Sequence, residues 1–424
     1  MEDHTSNDDI VAKILEKTGF DARHFQVEAT KAILEGHDVV VHAGTGSGKT
    51  LIFTAPHFVL EHKVSLVISP LILLQHDQEN RIRQMGLSAI AINNEAHLEA
   101  EVWTGIAQGK YEIILLSPEM ALHSEQVQAV FASPAFQQAL IAIHVDEAHT
   151  ISLWGGGFRK DYKGLGRIRA RLPKGVPATI VSATLRPNVK NDAMATLGFP
   201  SNPSEYVDIN IGNERTNVYI GARAMKYPAS SFKDLSPLID PDETNASQIP
   251  KTIIYIDDVI EVTLAVITLN GWLHGSLQEQ GLIMPVHAWM PSWYRSEAMA
   301  RFASGEVRIL ICTEAAGMGC DIPDIERIIQ LGICQSIDAF MQRIGRAWRG
   351  SNGKGEGWLI FEPWVRNEQS GGAGQTKRKC DPILRGLVVE SKCRRSYLNK
   401  VYKNPPSGES KPQNAYQVLI GTLL

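Results

Sequence analysis

The chain has 424 residues, enough for two or three domains that each bury a core. Its 44% hydrophobic and 21% charged residues are those of an ordinary globular protein, and a net charge of −4 singles out no anionic partner. No apolar run reaches the length of a spanning helix, so no membrane partner is expected; the start, Met1-Glu2-Asp3-His4, lacks the core of a secretory signal, and five cysteines without a CxxC pair argue against a disulfide framework.

Taken in chain order, Asp38-Val39-Val40-Val41-His42 predicts a short buried strand that runs straight into Ala43-Gly44-Thr45-Gly46-Ser47-Gly48-Lys49-Thr50. Apolar runs at 65–70, 111–118, 140–146 and 178–184 predict further strands, with helical-length stretches between them. Strands at 206–212 and 217–224 lie near a crossing point, after which the rhythm repeats at 251–257, 283–288, 307–313, 325–331 and 357–361. Alternation of strand and helix implies an α/β fold with parallel sheets, and two such series imply two domains. The expected division is 1–212, 213–365 and a short basic extension, 366–424, introduced by the linker-like Gln369-Ser370-Gly371-Gly372-Ala373-Gly374-Gln375. Basic residues concentrate at Arg159, Lys160, Lys163, Arg167, Arg169, Arg171 and Lys174, a stripe suited to a phosphate backbone.

The small-residue loop after the first strand carries chemistry. Successive backbone N–H groups of Gly44, Thr45, Gly46, Ser47 and Gly48 can reach phosphate oxygens, and a helix starting at its end aims its positive dipole end at the same charge. Lys49 is expected to neutralise the β- and γ-phosphates and Thr50 to hold magnesium through its hydroxyl. Asp146 and Glu147 end the apolar run 140–145, and adjacent carboxylates there are costly unless a cation compensates. Asp146 is therefore expected to bind the metal and Glu147 to activate water, giving an ATPase that uses ATP and Mg2+. Late in the chain, Arg346 and Arg349 are three apart, a spacing that puts both on one helix face and within reach of one anion. Trp154, Phe158 and Tyr162 fall four apart, interleaved with Arg159 and Lys160 and preceded by Gly155-Gly156-Gly157. Rings so placed can stack on unpaired bases while the cations take phosphates.

This order of motifs resembles the superfamily 2 helicases and, more narrowly, the RecQ family, over roughly residues 15 to 365. Arg23 and Gln26 match the upstream adenine-reading element, Ser69-Pro70-Leu71-Ile72 a segment that touches nucleic-acid backbone, and Ser117-Pro118-Glu119 the next such element. Asp146-Glu147-Ala148-His149 matches the acidic box, with His149 among the catalytic residues, and 146–162 is similar to the aromatic-rich loop that senses single-stranded DNA. Ser182-Ala183-Thr184 matches the motif linking hydrolysis to domain movement. Residues 313–321 resemble the fifth motif, ending at Asp321 beside the nucleotide, and Gln342–Arg349 the sixth.

The resemblance implies two tandem RecA-like domains, ATP bound between them, and 3′-to-5′ movement on single-stranded DNA with unwinding of duplexes bearing a 3′ overhang. It also implies a nuclear role in DNA repair or recombination, and RNA stays open as an alternative polymer because the 2′-hydroxyl need not be read. The chain departs from the family at Leu153, Gly156 and Trp348, and Cys380 and Cys393 are too few for the family's tetrahedral zinc site. These departures motivate a second expectation, an ATP-regulated nucleic-acid clamp that hydrolyses ATP without separating strands.

Overall fold

The computed structural model describes residues 6–70, 72–96, 98–151, 164–314, 322–350, 353–366 and 380–406. Two compact units make up the chain: residues up to Asn213 together with Tyr402–Pro405, and Glu214–Val401.

Unit 1 is built on seven strands: β1 Asp38–Ala43, β2 Val64–Ile68, β3 Ala89–Ile92, β4 Ile113–Leu116, β5 Leu140–Val145, β6 Ala178–Ser182 and β7 Tyr206–Gly212. They lie in the order β3-β4-β2-β5-β6-β1-β7, and every pairing is parallel. Continuous apolar sequence is what such a sheet demands, because helices cover both of its faces. Val40, Ile143 and Ile180 pack on one side with Phe131, Phe136 and Leu165, while their neighbours Val39, Val41, Ala142 and Val181 pack on the other with Phe25, Ile33 and Phe53.

Unit 2 repeats the plan with six strands: β8 Val218–Ala224, β9 Thr252–Tyr255, β10 Ile283–Val286, β11 Ile309–Cys312, β12 Arg327–Leu331 and β13 Gly355–Phe361. Their order is β10-β11-β9-β12-β13-β8, again wholly parallel. Ile254, Ile311, Ile329 and Ile360 form its core with Leu269 and Leu273. The described part of the basic extension groups with this unit as far as Val401. Leu384, Leu387 and Val388 of helix Pro382–Val389 are buried, and Arg395 donates to the carbonyls of Arg215 at 2.7 Å and Val218 at 2.8 Å.

A parallel sheet brings all its carboxyl ends to one edge, where ligands bind. In unit 1 that edge carries Gly44–Thr50 after β1, Ser69-Pro70 after β2, Ser117 after β4, Asp146-Glu147 after β5 and Ala183-Thr184 after β6. The fold thus collects motifs that are up to about 140 residues apart in sequence.

Candidate active site

The loop after β1 is shaped by glycine. Gly46 and Gly48 have φ of +80° and +82°, values that a side chain disfavours. A Cβ on Gly48 would fall 2.6 Å from Gln26 Nε2, whereas one on Gly46 would have no heavy atom of the described residues within 4 Å. The loop is therefore closed against the protein at Gly48 and open at Gly46, the form needed for backbone amides to line a phosphate. Helix Thr50–Val59 begins directly behind it with Lys49 as its N-cap, and Lys49 Nζ donates to Gly44 O at 3.1 Å. Arg23 and Gln26 hold the loop from outside. Arg23 Nη1 donates to Ser47 O at 3.2 Å, and Gln26 Nε2 donates to Gly48 O at 2.9 Å while its Oε1 accepts from Arg23 N at 2.8 Å. In this structure both side chains position the loop.

Asp146 is buried behind the loop. Its Oδ1 accepts from Glu147 N at 2.9 Å and its Oδ2 from Gln78 Nε2 at 2.8 Å. Burial and then the neighbouring Glu147 charge push its carboxyl up to about 6, against the opposing pull of Lys49 and of these hydrogen bonds. A buried carboxylate beside a second one is costly unless a cation compensates, so the chemistry of this pair fits a divalent cation. Glu147 sits at φ +48°, a strained backbone for a residue with a side chain, which is found where surrounding structure over-determines the conformation. Thr150 supplies part of that constraint, donating from its N and Oγ1 to Glu147 O at 3.0 and 2.9 Å.

His149 ties the acidic pair to the end of β6. Its Nδ1 lies 3.2 Å from Glu147 Oε2 and 3.0 Å from Ser182 Oγ, and Thr184 N donates to the same hydroxyl at 3.1 Å. Glu147 thus approaches Ser182-Ala183-Thr184 across one buried imidazole, whose Nδ1 faces both the carboxylate and the Ser182 hydroxyl. Ser69 is buried, with its carbonyl accepting from Gln75 Nε2 at 2.9 Å; Gln75 in turn accepts from Asn93 at 3.1 Å. Ser117 caps helix Pro118–His123, accepting from Met120 N at 3.3 Å. Gln78, Gln75 and Asn93 went unseen in the sequence, where a polar residue in a helix or after a short strand gives no sign of burial.

In unit 2 the expectation that Arg346 and Arg349 share a helix face is overturned. Helix Ile337–Ile344 stops at Gly345, before either arginine. The chain then turns away because Trp348 N donates to Ile325 O at 2.8 Å and Arg349 N to Pro323 O at 2.7 Å, leaving Trp348 at φ +30°. Arg215 pins the turn from below, donating to Gly345 O, Ala347 O and Trp348 O at 3.1, 3.0 and 2.6 Å. The buried helical arginine is Arg343, which pairs with Asp257 at 2.9 Å and Glu314 at 3.3 Å, hydrogen-bonds Gln330 and lies over the Tyr255 ring. Its acidic neighbours hold its pKa above the usual range despite burial. The indole of Trp348 fits because Gly353 leaves it room: a Cβ there would lie 1.7 Å from Trp348 Cε2. Trp154, Phe158, Arg159, Tyr162 and Asp321 lie outside the described residues.

Two families match this chain: DEAD/DEAH box helicase over residues 23–191 and helicase conserved C-terminal domain over residues 232–351. The chain is 31% identical over 335 residues to the putative ATP-dependent DNA helicase Q1 of Caenorhabditis briggsae, covering 77% of this chain and 51% of that protein. It is 28% identical to the probable ATP-dependent DNA helicase RecS of Bacillus subtilis, covering 76% and 61%, and 29% identical to the putative ATP-dependent RNA helicase R290 of Acanthamoeba polyphaga mimivirus, covering 76% and 55%. It spans about half the length of most of these curated relatives. Among solved structures, S. cerevisiae Dbp5 bound to RNA and ADP BeF3 shares the fold at a TM-score of 0.62 and 15% identity, covering 97% of this chain and 95% of Dbp5. Helicase MrfA bound to DNA gives a TM-score of 0.63 at 17% identity, covering 83% and 50%.

Proposed function

We propose, for a chain that belongs to the RecQ family of DEAD/DEAH box helicases, that it is an ATP-driven motor which moves 3′ to 5′ on single-stranded DNA and separates strands ahead of it. The observation that carries this reading is the buried connection Glu147–His149–Ser182. It gives the water-activating position a physical link to the segment that this family uses to convert hydrolysis into movement.

In this reading Lys49 neutralises the β- and γ-phosphates and the amides of Gly44–Gly48 cradle them, while Gln26 reads adenine and Arg23 belongs to the same element. Asp146 and Thr50 hold Mg2+, which when bound supplies charge neutralisation at the phosphates. Glu147 takes the proton of the attacking water, and His149 holds that carboxylate in orientation. Arg346 and Arg349 supply the positive charge that stabilises the departing phosphoryl group. Asp321 belongs to the same nucleotide set. Single-stranded DNA contacts Ser69, Pro70, Trp154, Phe158, Arg159 and Tyr162, with stacking on the rings and phosphates on the cation. Nuclear residence and work in DNA repair or recombination belong to the proposal as well.

The departures at Leu153, Gly156 and Trp348 favour the second reading, a clamp that spends ATP on changing its grip. ATP turnover measured with and without single-stranded DNA or RNA, beside strand displacement on a duplex with a 3′ overhang, separates the two. The motor reading expects DNA-stimulated turnover with displacement, loss of turnover by at least roughly a hundredfold in Glu147→Gln, and loss of DNA stimulation alone in Trp154→Ala. Turnover without displacement selects the clamp; turnover that survives Glu147→Gln rejects both.

A further inference from the structure

We propose that Asn404, on the segment Tyr402–Pro405, is a positioning residue for the phosphate-cradling loop. This segment lies outside both matched families and outside every motif, yet it groups with unit 1. Tyr402 is buried with its ring 6.1 Å from that of His42 on β1, and Lys403 O accepts from Asn210 Nδ2 on β7 at 2.9 Å. Asn404 then makes a reciprocal pair with Asn213. Its Oδ1 accepts from Asn213 N at 3.1 Å, and its Nδ2 donates to Asn213 Oδ1 at 2.9 Å.

Asn213 passes the constraint to two parts of the active site. Its own Nδ2 donates to Ala183 O at 2.9 Å, inside Ser182-Ala183-Thr184. The preceding carbonyl, Gly212 O, accepts from Gly44 N at 2.9 Å, at the first residue of the loop. The packing is as tight as the bonding. A Cβ on Gly44 would come within 3.2 Å of Asn213 Cα, and one on Gly212 within 3.0 Å of Asn404 Oδ1. Asn213 is buried, so removing the Asn404 amide leaves its N–H and Oδ1 without those partners where water cannot readily replace them. The backbone that sets where the loop begins is held by a side chain 191 residues further along the chain.

The proposal rests on the nucleotide-hydrolysing reading above. The full chain is compared as wild type, Asn404→Ala and Asn404→Asp, measuring KM and kcat for ATP, affinity for a fluorescent ATP analogue, and thermal melting. The Asp variant keeps the acceptor for Asn213 N but sets a charged oxygen against Asn213 Oδ1 in place of the donor, so it probes that donor separately and carries the test if Asn404→Ala does not fold. Expected is a rise of about fivefold in KM and in analogue Kd for Asn404→Ala, equivalent to about 1 kcal/mol, with Asn404→Asp raised at least as far. Equal nucleotide affinity in all three folded proteins overturns the proposal, as does a loss that follows only the unfolded fraction. A wild-type chain that binds no nucleotide sinks the hydrolysis reading itself, and this proposal with it.

Discussion

Asp146→Asn tests the electrostatics of the site without substrate. A carboxyl moved from 3.8 to about 6 by burial and a like-charged neighbour penalises its ionised form by about 3 kcal/mol in the metal-free protein. The sign follows from proton uptake. Between those two values the folded state holds a proton that the unfolded state has released, so stability falls as pH rises through the window and the full penalty stands above about pH 6. Asparagine carries no charge, and Gln78, whose Oε1 is buried without a hydrogen-bond partner among the described residues, can turn its amide so that this oxygen accepts from the new side chain. Urea unfolding without divalent metal should therefore show Asp146→Asn gaining about 3 kcal/mol relative to wild type at about pH 8 compared with about pH 4. Added magnesium should narrow the gap at the higher pH. A stability difference that does not change with pH refutes the argument, because it means that Asp146 is not a strained anion.

Arg346→Ala and Arg349→Ala should each lower kcat for ATP by roughly a thousandfold while nucleotide affinity changes little; parallel loss of affinity in a binding titration would show that they grip the ground state instead. Burial holds His57 down at about 4 and His144 down at about 3, so below about pH 6.5 the unfolded chain takes up protons that the fold refuses. Each should cost about 1.4 kcal/mol of stability per pH unit on acidification, and His144→Phe should flatten the acid limb of the unfolding midpoint; superimposable curves would contradict this. Gly353→Ala should destabilise unit 2 because its methyl overlaps the Trp348 ring, and Trp348→Gly in the same chain should restore the melting temperature. No recovery in the double variant would place the damage elsewhere.

Most of the sheet was legible because strands covered on both faces need unbroken apolar runs, and 38–42, 140–146 and 178–184 supply them. Ala89–Ile92 escaped because two alanines in four residues carry little strand preference, and only pairing with β4 makes them a strand. The phosphate loop and the acidic pair were legible because their chemistry is local: glycines, a lysine, a hydroxyl and two carboxylates at fixed offsets. What supports them was not. Gln78 acts across 68 residues of sequence and Asn404 across 191, and an isolated amide does not announce its partner. Spacing misled at Arg346 and Arg349, since three residues mean one face only inside a helix, and Gly345 ends that helix first.

The seating of Trp348 against Gly353 implies an order of evolutionary steps. An indole could enter only after the opposite position had shed its side chain, whereas the glycine could arrive first at small expense. A library that varies Gly353 alone would therefore record an intolerant site and assign the constraint to the wrong residue. Ancestral reconstructions of this turn should contain glycine-without-tryptophan intermediates and lack the converse.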